Sequence, residues 1–254
     1  MISCLMVTQK GREQHVSASI ECFVKQSFLD RELVIVHDSD AAFHQTLIDQ
    51  CDKYPTADIR LFKHLSGESL GSLRNRSIEN AKYNVVCQWD DDDLYHPDRL
   101  KVQYQYLYSN HADFCFMTDQ LHLFVNEGFL FWDDWSIEKY PGNLIQGTLM
   151  GKKELLGQYP DLARGEDTEL VFRLIEEGHE IASLSDMAWL YLYIYHGSNA
   201  WNSDHHKAIS NFKRLKFSKL KDKVEVVEQE LQQYSLQLEK ITMPHEKGKF
   251  DIHL

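Results

Sequence analysis

Residues 70–100 read LGSLRNRSIENAKYNVVCQWDDDDLYHPDRL, and the strand and acidic row inside this stretch decide the fold. YNVVCQW (83–89) is apolar enough for a buried strand, and Asp90, Asp91, Asp92 and Asp93 follow it without a break. Adjacent like charges repel, and desolvation beside an apolar core adds to that cost. Either the four side chains fan into water or a positive charge sits among them. In extended backbone, residues i and i+2 point the same way, so Asp90 and Asp92 can face one ligand. Their hard oxygens suit Mg²⁺ or Mn²⁺, which bridge phosphate groups while keeping some water. A calcium loop fits poorly, because Leu94 stands where that loop needs a ligand. The plain alternative is a solvated acidic turn ahead of a helix, with Asp93 as its cap.

Outward from this stretch the chain alternates. Strands are expected at 2–7, 32–37, 58–63 and 83–89, and helices at 15–26, 41–52, 70–82 and after Pro97. Short apolar strands alternating with helices imply βαβ units and a Rossmann-like, mostly parallel sheet flanked by helices. Ligands of such sheets bind outside the carboxyl ends of the strands. The four aspartates lie at such an end, and so does Asp38 in VIVHDSD. Further on, FCFMTDQLHLFVNEGFLFWDDW (114–135) suggests a hairpin around NEG, and LIQGTLMGKKEL (144–155) a strand turning into a helix. GEDTELVFRLIEEGHEI (165–181) predicts a helix with acids in its first turn and Gly178 near its end.

Composition bounds what this fold can do. The chain has 254 residues, 43% hydrophobic and 26% charged, which is enough for one sizeable core. A net charge of -12 argues against a broad nucleic-acid surface, which needs clustered Lys and Arg. Five cysteines, none in CxxC spacing, read as reduced thiols. No apolar run approaches a membrane span, and MISCLMV is too short for a signal segment. These points lead to the expectation of a cytoplasmic protein.

The same stretches carry a family resemblance. The run 70–100 resembles the family 2 inverting glycosyltransferases of GT-A fold, with a glycine, an Arg-Asn pair on a helix, a strand, an Asp-x-Asp motif, then Pro and a basic helix. ISCLMVTQKGR and SIECFVKQSFLDRELVIVHDSD resemble that family's first strand, first helix and nucleotide-binding aspartate. RGEDTELVFRLIEEGH resembles its later Glu-Asp motif. The matches cover about residues 2–190 in the expected order.

The resemblance implies a nucleotide-diphosphate sugar donor, most often a UDP-sugar, and a Mn²⁺ or Mg²⁺ cofactor. Asp38 would accept from the base, Arg74 would lie along the diphosphate, and Asp90 and Asp91 would contact ribose and metal-bound water. Asp92 would ligate the metal, and Asp167 would be the general base beside Glu166 at the acceptor. Where the family often has Pro-x-Tyr-Asn, this chain has Val7, Thr8, Gln9 and Lys10, so Thr8 and Gln9 are the donor contacts expected there. The Gln-x-x-Arg-Trp motif of processive synthases is absent, which favours one sugar per encounter. The acceptor implied is a glycan or lipid-linked glycan in surface polysaccharide synthesis. Two rival readings are a sugar nucleotidyltransferase and a non-catalytic nucleotide-sugar or glycan-binding module. The first lacks its Gly-rich loop, since TQKGREQ has one glycine; the second leaves both acidic motifs without a purpose.

Three expectations remain. His196, in the polar loop YHGSNAW, is a candidate metal ligand, whereas His205 and His206 read as surface residues. Trp132 and Trp135 of FLFWDDW read either as an acceptor platform or as core. Residues 1–203 form the catalytic domain and 204–254 a helical tail. In that tail, residues Phe217 to Leu238 recur at spacings of three and four, as for a coiled-coil homodimer. Its basic portion (207–223) suits peripheral contact with the inner face of a membrane, and folding back onto the protein's own domain is the alternative.

Overall fold

The computed structural model describes residues 1–254. The alternation expected from the sequence opens it: β1 (Ile2–Val7), α1 (Glu13–Val24), β2 (Arg31–His37), α2 (Ala41–Cys51), β3 (Ile59–Lys63), α3 (Leu70–Asn80) and β4 (Val85–Gln88). After a short β5 (Leu94–Tyr95) come α4 (Arg99–Ser109) and β6 (Phe114–Met117), then the hairpin β7 (Asp119–Phe124) and β8 (Phe129–Asp134). The strand expected to turn into a helix is β9 (Ile145–Lys152) with α5 (Lys153–Leu156). The acidic helix is α6 (Glu166–Glu176), followed by β10 (Ile181–Leu184) and β11 (Tyr191–Tyr195).

Seven strands make one sheet in the order β10-β6-β9-β4-β1-β2-β3. β1 pairs in parallel with β2 and β4, β2 with β3, and β10 with β6. β9 runs antiparallel to β4 and β6. Side chains alternate across each strand, so Cys4, Met6, Leu33 and Ile35 fall on one face and pack with Val16, Ile20 and Phe23 of α1. Leu5, Val34, Val36 and Val86 fall on the other, with Leu73 and Ile78 of α3. Covering both faces is what makes these strands read as unbroken apolar runs. All five cysteines are free thiols.

A second sheet has the order β13-β12-β8-β7-β11-β5, its first two strands being the C-terminal hairpin described below. β4 ends in the first sheet and β5 begins in the second, so Trp89–Asp93 is the passage between them. That junction is where the acidic row lies, at the carboxyl edge of β4 and outside both ladders.

The tail departs from expectation. It holds three short helices, α7 (Ser203–Lys213), α8 (Phe217–Leu220) and α9 (Val224–Leu231), and then the hairpin β12 (Lys240–His245) and β13 (Gly248–His253). The stripe expected to form a coiled-coil seam is buried in the protein's own core: Leu220, Val227, Leu231 and Tyr234 pack with Leu121, Leu123, Leu130 and Trp132. Phe217 stacks on Phe250 with ring centres 5.9 Å apart. A spacing of three and four fits burial on a sheet as well as burial on another helix, so the stripe is not free for a homodimer. Nor is residue 203 a boundary, because β12 joins the edge of β8 and α7 packs on that strand. The period-two alternation of Ile241, Met243 and His245, all buried, is the strand signal that the helical reading passed over.

Candidate active site

The carboxyl ends of β1, β2 and β4 lie at one edge of the large sheet, and the residues that follow them line one cleft. β1 delivers Thr8, Gln9 and Arg12, β2 delivers Asp38, and β4 delivers Asp90 to Asp93. The amino-terminal turns of α3 and α6 add Leu73, Arg74, Glu166 and Asp167, and the loop after β11 adds Ser198, Asn199 and Trp201. The cleft volume is about 910 Å³, room for a ligand of nucleotide size.

The wall along α3 is built by its sequence. Ser69 caps the helix, its Oγ accepting from Ser72 N at 3.0 Å. Gly71 lets the 156–165 loop cross close by: a Cβ there would stand 1.9 Å from the carbonyl oxygen of Pro160. Asn75 then locks that loop in both directions. Its Nδ2 donates to Tyr159 O at 2.9 Å, and its Oδ1 accepts from Tyr159 N at 2.7 Å. The hydroxyl of Tyr159 donates to Gln88 Oε1 at 3.1 Å, and Gln88 Nε2 donates to Asp90 at 3.1 and 3.2 Å. Gly71, Arg74 and Asn75 thus hold one assembly that ends on the first aspartate.

The acidic row divides into four roles. Asp90 faces Arg74, whose Nη2 is 3.4 Å away, while Arg74 Nε donates to the buried Glu166 at 2.8 Å. Burial pushes Asp90 above the ordinary carboxylate range despite Arg74. Burial lowers the basicity of Arg74 as well, but Asp90, Tyr159 and Glu166 outweigh that and keep it a cation. Asp91 is buried; its Oδ1 accepts from Arg12 Nη1 at 2.5 Å, and its Oδ2 has no partner. Burial, and then the charge of Asp92, push Asp91 up to about 7. Asp92 Oδ2 lies 2.9 Å from Arg12 Nη1 and 3.3 Å from His196 Nε2. Burial raises Asp92, but the His196 hydrogen bond and the charge of Arg12 outweigh it and hold this carboxylate below its ordinary value. Asp93 is structural: it accepts from Tyr191 Oη at 2.5 Å and Ile194 N at 2.9 Å, and so pins the row to β11.

The positive charge among the aspartates is therefore Arg12, which bridges Asp91 and Asp92. The expected i, i+2 pairing of Asp90 with Asp92 gives way to this turn. A divalent ion of the Mg²⁺ or Mn²⁺ type asks for one or two protein ligands, with phosphate oxygens and water completing its sphere. Asp92 and His196 fit that demand, and no group of three or more His, Cys, Asp or Glu converges. The unpartnered, buried Asp91 Oδ2 beside them is a further acceptor with nothing to bind.

These observations are joined by the sequence itself. The family model described as Glycosyl transferase family 2 matches residues 3–150, more than half of the chain. The chain belongs to glycosyl transferase family 2. It is 26% identical over 193 residues to the O-antigen biosynthesis glycosyltransferase WbnJ of Escherichia coli, covering 70% of this chain and 72% of that protein. A similar match of 25% over 142 residues joins it to the uncharacterized glycosyltransferase MJ1057 of Methanocaldococcus jannaschii, covering 48% of that protein. Among solved structures, S. aureus TarS 1-349 in complex with UDP-GlcNAc superposes with a TM-score of 0.61 at 16% identity, covering 93% of this chain and 68% of that one. The mannosyltransferase PcManGT from Pyrobaculum calidifontis, in complex with GDP-Man and Mn²⁺, gives 0.60 at 13% identity, covering 79% and 58%. This family 2 glycosyltransferase therefore has the GT-A fold.

Within the glycosyltransferase, Thr8, Gln9, Asp38, Arg74, Asp90, Asp91, Asp92, Glu166 and Asp167 all line the cleft. Asp38 Oδ2 accepts from Gly67 N at 2.8 Å. Asp167 Oδ1 accepts from Thr168 N at 2.7 Å, leaving Oδ2 without a protein donor. Two expectations, those for Glu166 and His206, need correction, and of the two readings open for Trp132 and Trp135 the acceptor platform falls. Trp132 is 2% exposed and gives its Nε1–H to Asp119 at 3.1 Å, which makes it core. Trp135 is half-buried under Lys213, whose Nζ is 4.4 Å from the ring, and lies outside the cleft. Glu166 is committed to Arg74 rather than to an acceptor. His206 is buried among Tyr193, Tyr195 and His122. Sequence reasoning missed Arg12 and Trp201. Arg12 meets the aspartates only because β1 and β4 are neighbours, which the sequence does not state. Trp201 carried a signal, as a large aromatic in a polar loop.

Proposed function

We propose that this glycosyltransferase is a metal-dependent, inverting enzyme that moves one sugar from a nucleotide-diphosphate donor, a UDP-sugar, to a hydroxyl of a glycan or lipid-linked glycan. The observation that carries the reading is the single cleft lined by Asp92, Arg74, Asp90 and Asp167, with His196 Nε2 3.3 Å from the Asp92 carboxylate and one oxygen of Asp167 left without a protein donor. Asp38, Thr8 and Gln9 would bind the base end of the donor, and Arg74 the diphosphate. Asp92 and His196 would hold the divalent ion, whose chemistry is Lewis-acid neutralisation of the charge that develops on the departing diphosphate. Arg12 keeps the carboxylates of Asp91 and Asp92 together before a donor arrives, and with its bridge loosened it is placed to meet the diphosphate itself. Asp167 Oδ2 would take the proton of the acceptor hydroxyl as that oxygen attacks from the side opposite the leaving group, and so give inversion.

The relationship to the O-antigen biosynthesis glycosyltransferase WbnJ supports surface polysaccharide assembly as the setting. No helix is long and apolar enough to cross a membrane. The test measures donor turnover and calorimetric UDP binding with and without Mn²⁺, in wild type, Asp92→Ala and Asp167→Asn. Asp92→Ala is expected to lose both Mn²⁺-dependent UDP binding and turnover. Asp167→Asn should keep UDP affinity and lose roughly a hundredfold or more in kcat, the scale of a missing general base. Wild-type turnover in Asp92→Ala would refute the metal assignment. Lost UDP binding with intact turnover in Asp167→Asn would refute the base.

A further inference from the structure

The cleft has one large apolar group that donor binding and proton transfer leave unused. Trp201 lines it and is 55% exposed, and a bare indole in water is a position that burial would improve. The loop nevertheless holds it there firmly. Asn202 caps α7 by accepting from His205 N at 3.0 Å, and the His205 ring stacks beneath the indole with centres 4.8 Å apart and planes 26° from parallel. From the other side of the cleft comes Arg164, three residues before Asp167, with its guanidinium carbon 5.9 Å from the indole centre. That is the outer reach of a cation–π contact, about 6 Å, so a ligand can displace it easily. Trp201 thus stands at the Asp167 end of the cleft, whereas Asp38 follows β2, which lies beyond β1 in the sheet.

An aromatic platform beside a general base suits a ring with an apolar face and a rim of hydroxyls. A pyranose is such a ring: its axial C–H groups pack on indole while its hydroxyls stay free for hydrogen bonding. We infer that Trp201 forms the acceptor subsite, stacking the pyranose whose hydroxyl is glycosylated, with Arg164 swinging aside to bind its rim hydroxyls. This inference rests on the transferase reading above and adds the residue that receives the second substrate.

The test uses the full chain with UDP and Mn²⁺ and three probes: methyl β-glucopyranoside, methyl β-galactopyranoside and methyl N-acetyl-β-glucosaminide. Of the five tryptophans, Trp89 and Trp132 are buried, Trp135 and Trp189 are half-buried and Trp201 is the most exposed, so Trp201 dominates the red edge of the emission and the Trp201→Ala variant assigns the signal. At least one probe is expected to shift that emission saturably in wild type, and the shift should vanish in Trp201→Ala. In transfer assays with that probe, Trp201→Ala should raise the acceptor KM at least tenfold while kcat falls less than about threefold. Trp201→Phe, which keeps an aromatic face, should restore KM to within about threefold of wild type. A donor Kd for UDP that rises in step with the acceptor KM would move Trp201 to the donor site and overturn the inference. An unchanged acceptor KM, or the absence of a saturable shift with all three probes, would also overturn it. The transferase reading fails separately, if wild type turns over no nucleotide sugar.

Discussion

Gly71 offers the sharpest test of how the cleft wall is built. It sits in the first turn of α3 with ordinary helical backbone, and helix propensity alone says that Gly71→Ala should stabilise the protein by about 1 kcal/mol. The structure says the reverse. The new methyl would stand 1.9 Å from Pro160 O, 3.0 Å from Pro160 C and 3.2 Å from Leu162 N, all backbone atoms that no rotamer change can move. Relief requires the 156–165 loop to back away by roughly 1 Å or more, since real Cβ atoms essentially never come within 3.0 Å of another heavy atom. That motion stretches three hydrogen bonds at once: Gly71 N to Leu162 O (3.0 Å) and the two between Asn75 and Tyr159 (2.9 and 2.7 Å). At about 1 kcal/mol each their loss totals ~3 kcal/mol, which exceeds the propensity gain and leaves a net destabilisation of about 2 kcal/mol. The same displacement pulls Tyr159 from Gln88, and Gln88 from Asp90. Urea denaturation followed by far-UV circular dichroism measures the stability, and hydrogen exchange of the Tyr159 amide reads the loop directly. A Gly71→Ala variant as stable as wild type, with Tyr159 equally protected, would refute the reasoning.

Three other outcomes follow from the structure. Arg12→Met removes the charge shared by Asp91 and Asp92 and should cost roughly 3 kcal/mol, the lower end for breaking a buried pair because Asp91 can take up a proton; unaltered urea stability would refute the bridge. Ending the chain at Lys213 removes Leu220, Val227, Leu231, Ile241, Met243 and Ile252 from the core. At about 2 kcal/mol each their loss is comparable to the whole stability of a domain, so the truncated protein should be unfolded by circular dichroism, and a folded truncation would show the tail to be dispensable. His37, pushed down to about 4 by burial and then His44, and His206, pushed down to about 4 by burial and then His122, are held neutral in the fold. The unfolded chain takes up these protons first as pH falls below about 6.5, so stability should drop between about pH 6.5 and 4, by about 1 kcal/mol per histidine at about pH 5.5. A flat stability profile through that window would count against their burial in the neutral form.

The first half of the fold was legible from residues alone. Apolar runs of four to seven residues, separated by helices with polar faces, have few ways to bury both sheet faces other than βαβ units, and such units bring their carboxyl ends to one edge. The same logic brought Asp38 and the acidic row to one cleft, because each follows a parallel strand. Arg74 and Asp167 were readable only through a motif, since helix-start residues look alike whether they cap or bind. Tertiary structure alone decided the rest. Strand order set Arg12 beside Asp91 and Asp92, because β1 neighbours β4 while their residues lie 79 positions apart. The tail carried a stripe at helical spacing, and a second sheet with an uncovered apolar face took up that stripe before any partner chain could. Trp132 went to the core and Trp201 to the cleft for the same reason. A sequence gives the apolar area of an indole, but which neighbours cover it depends on where distant strands and loops come to lie.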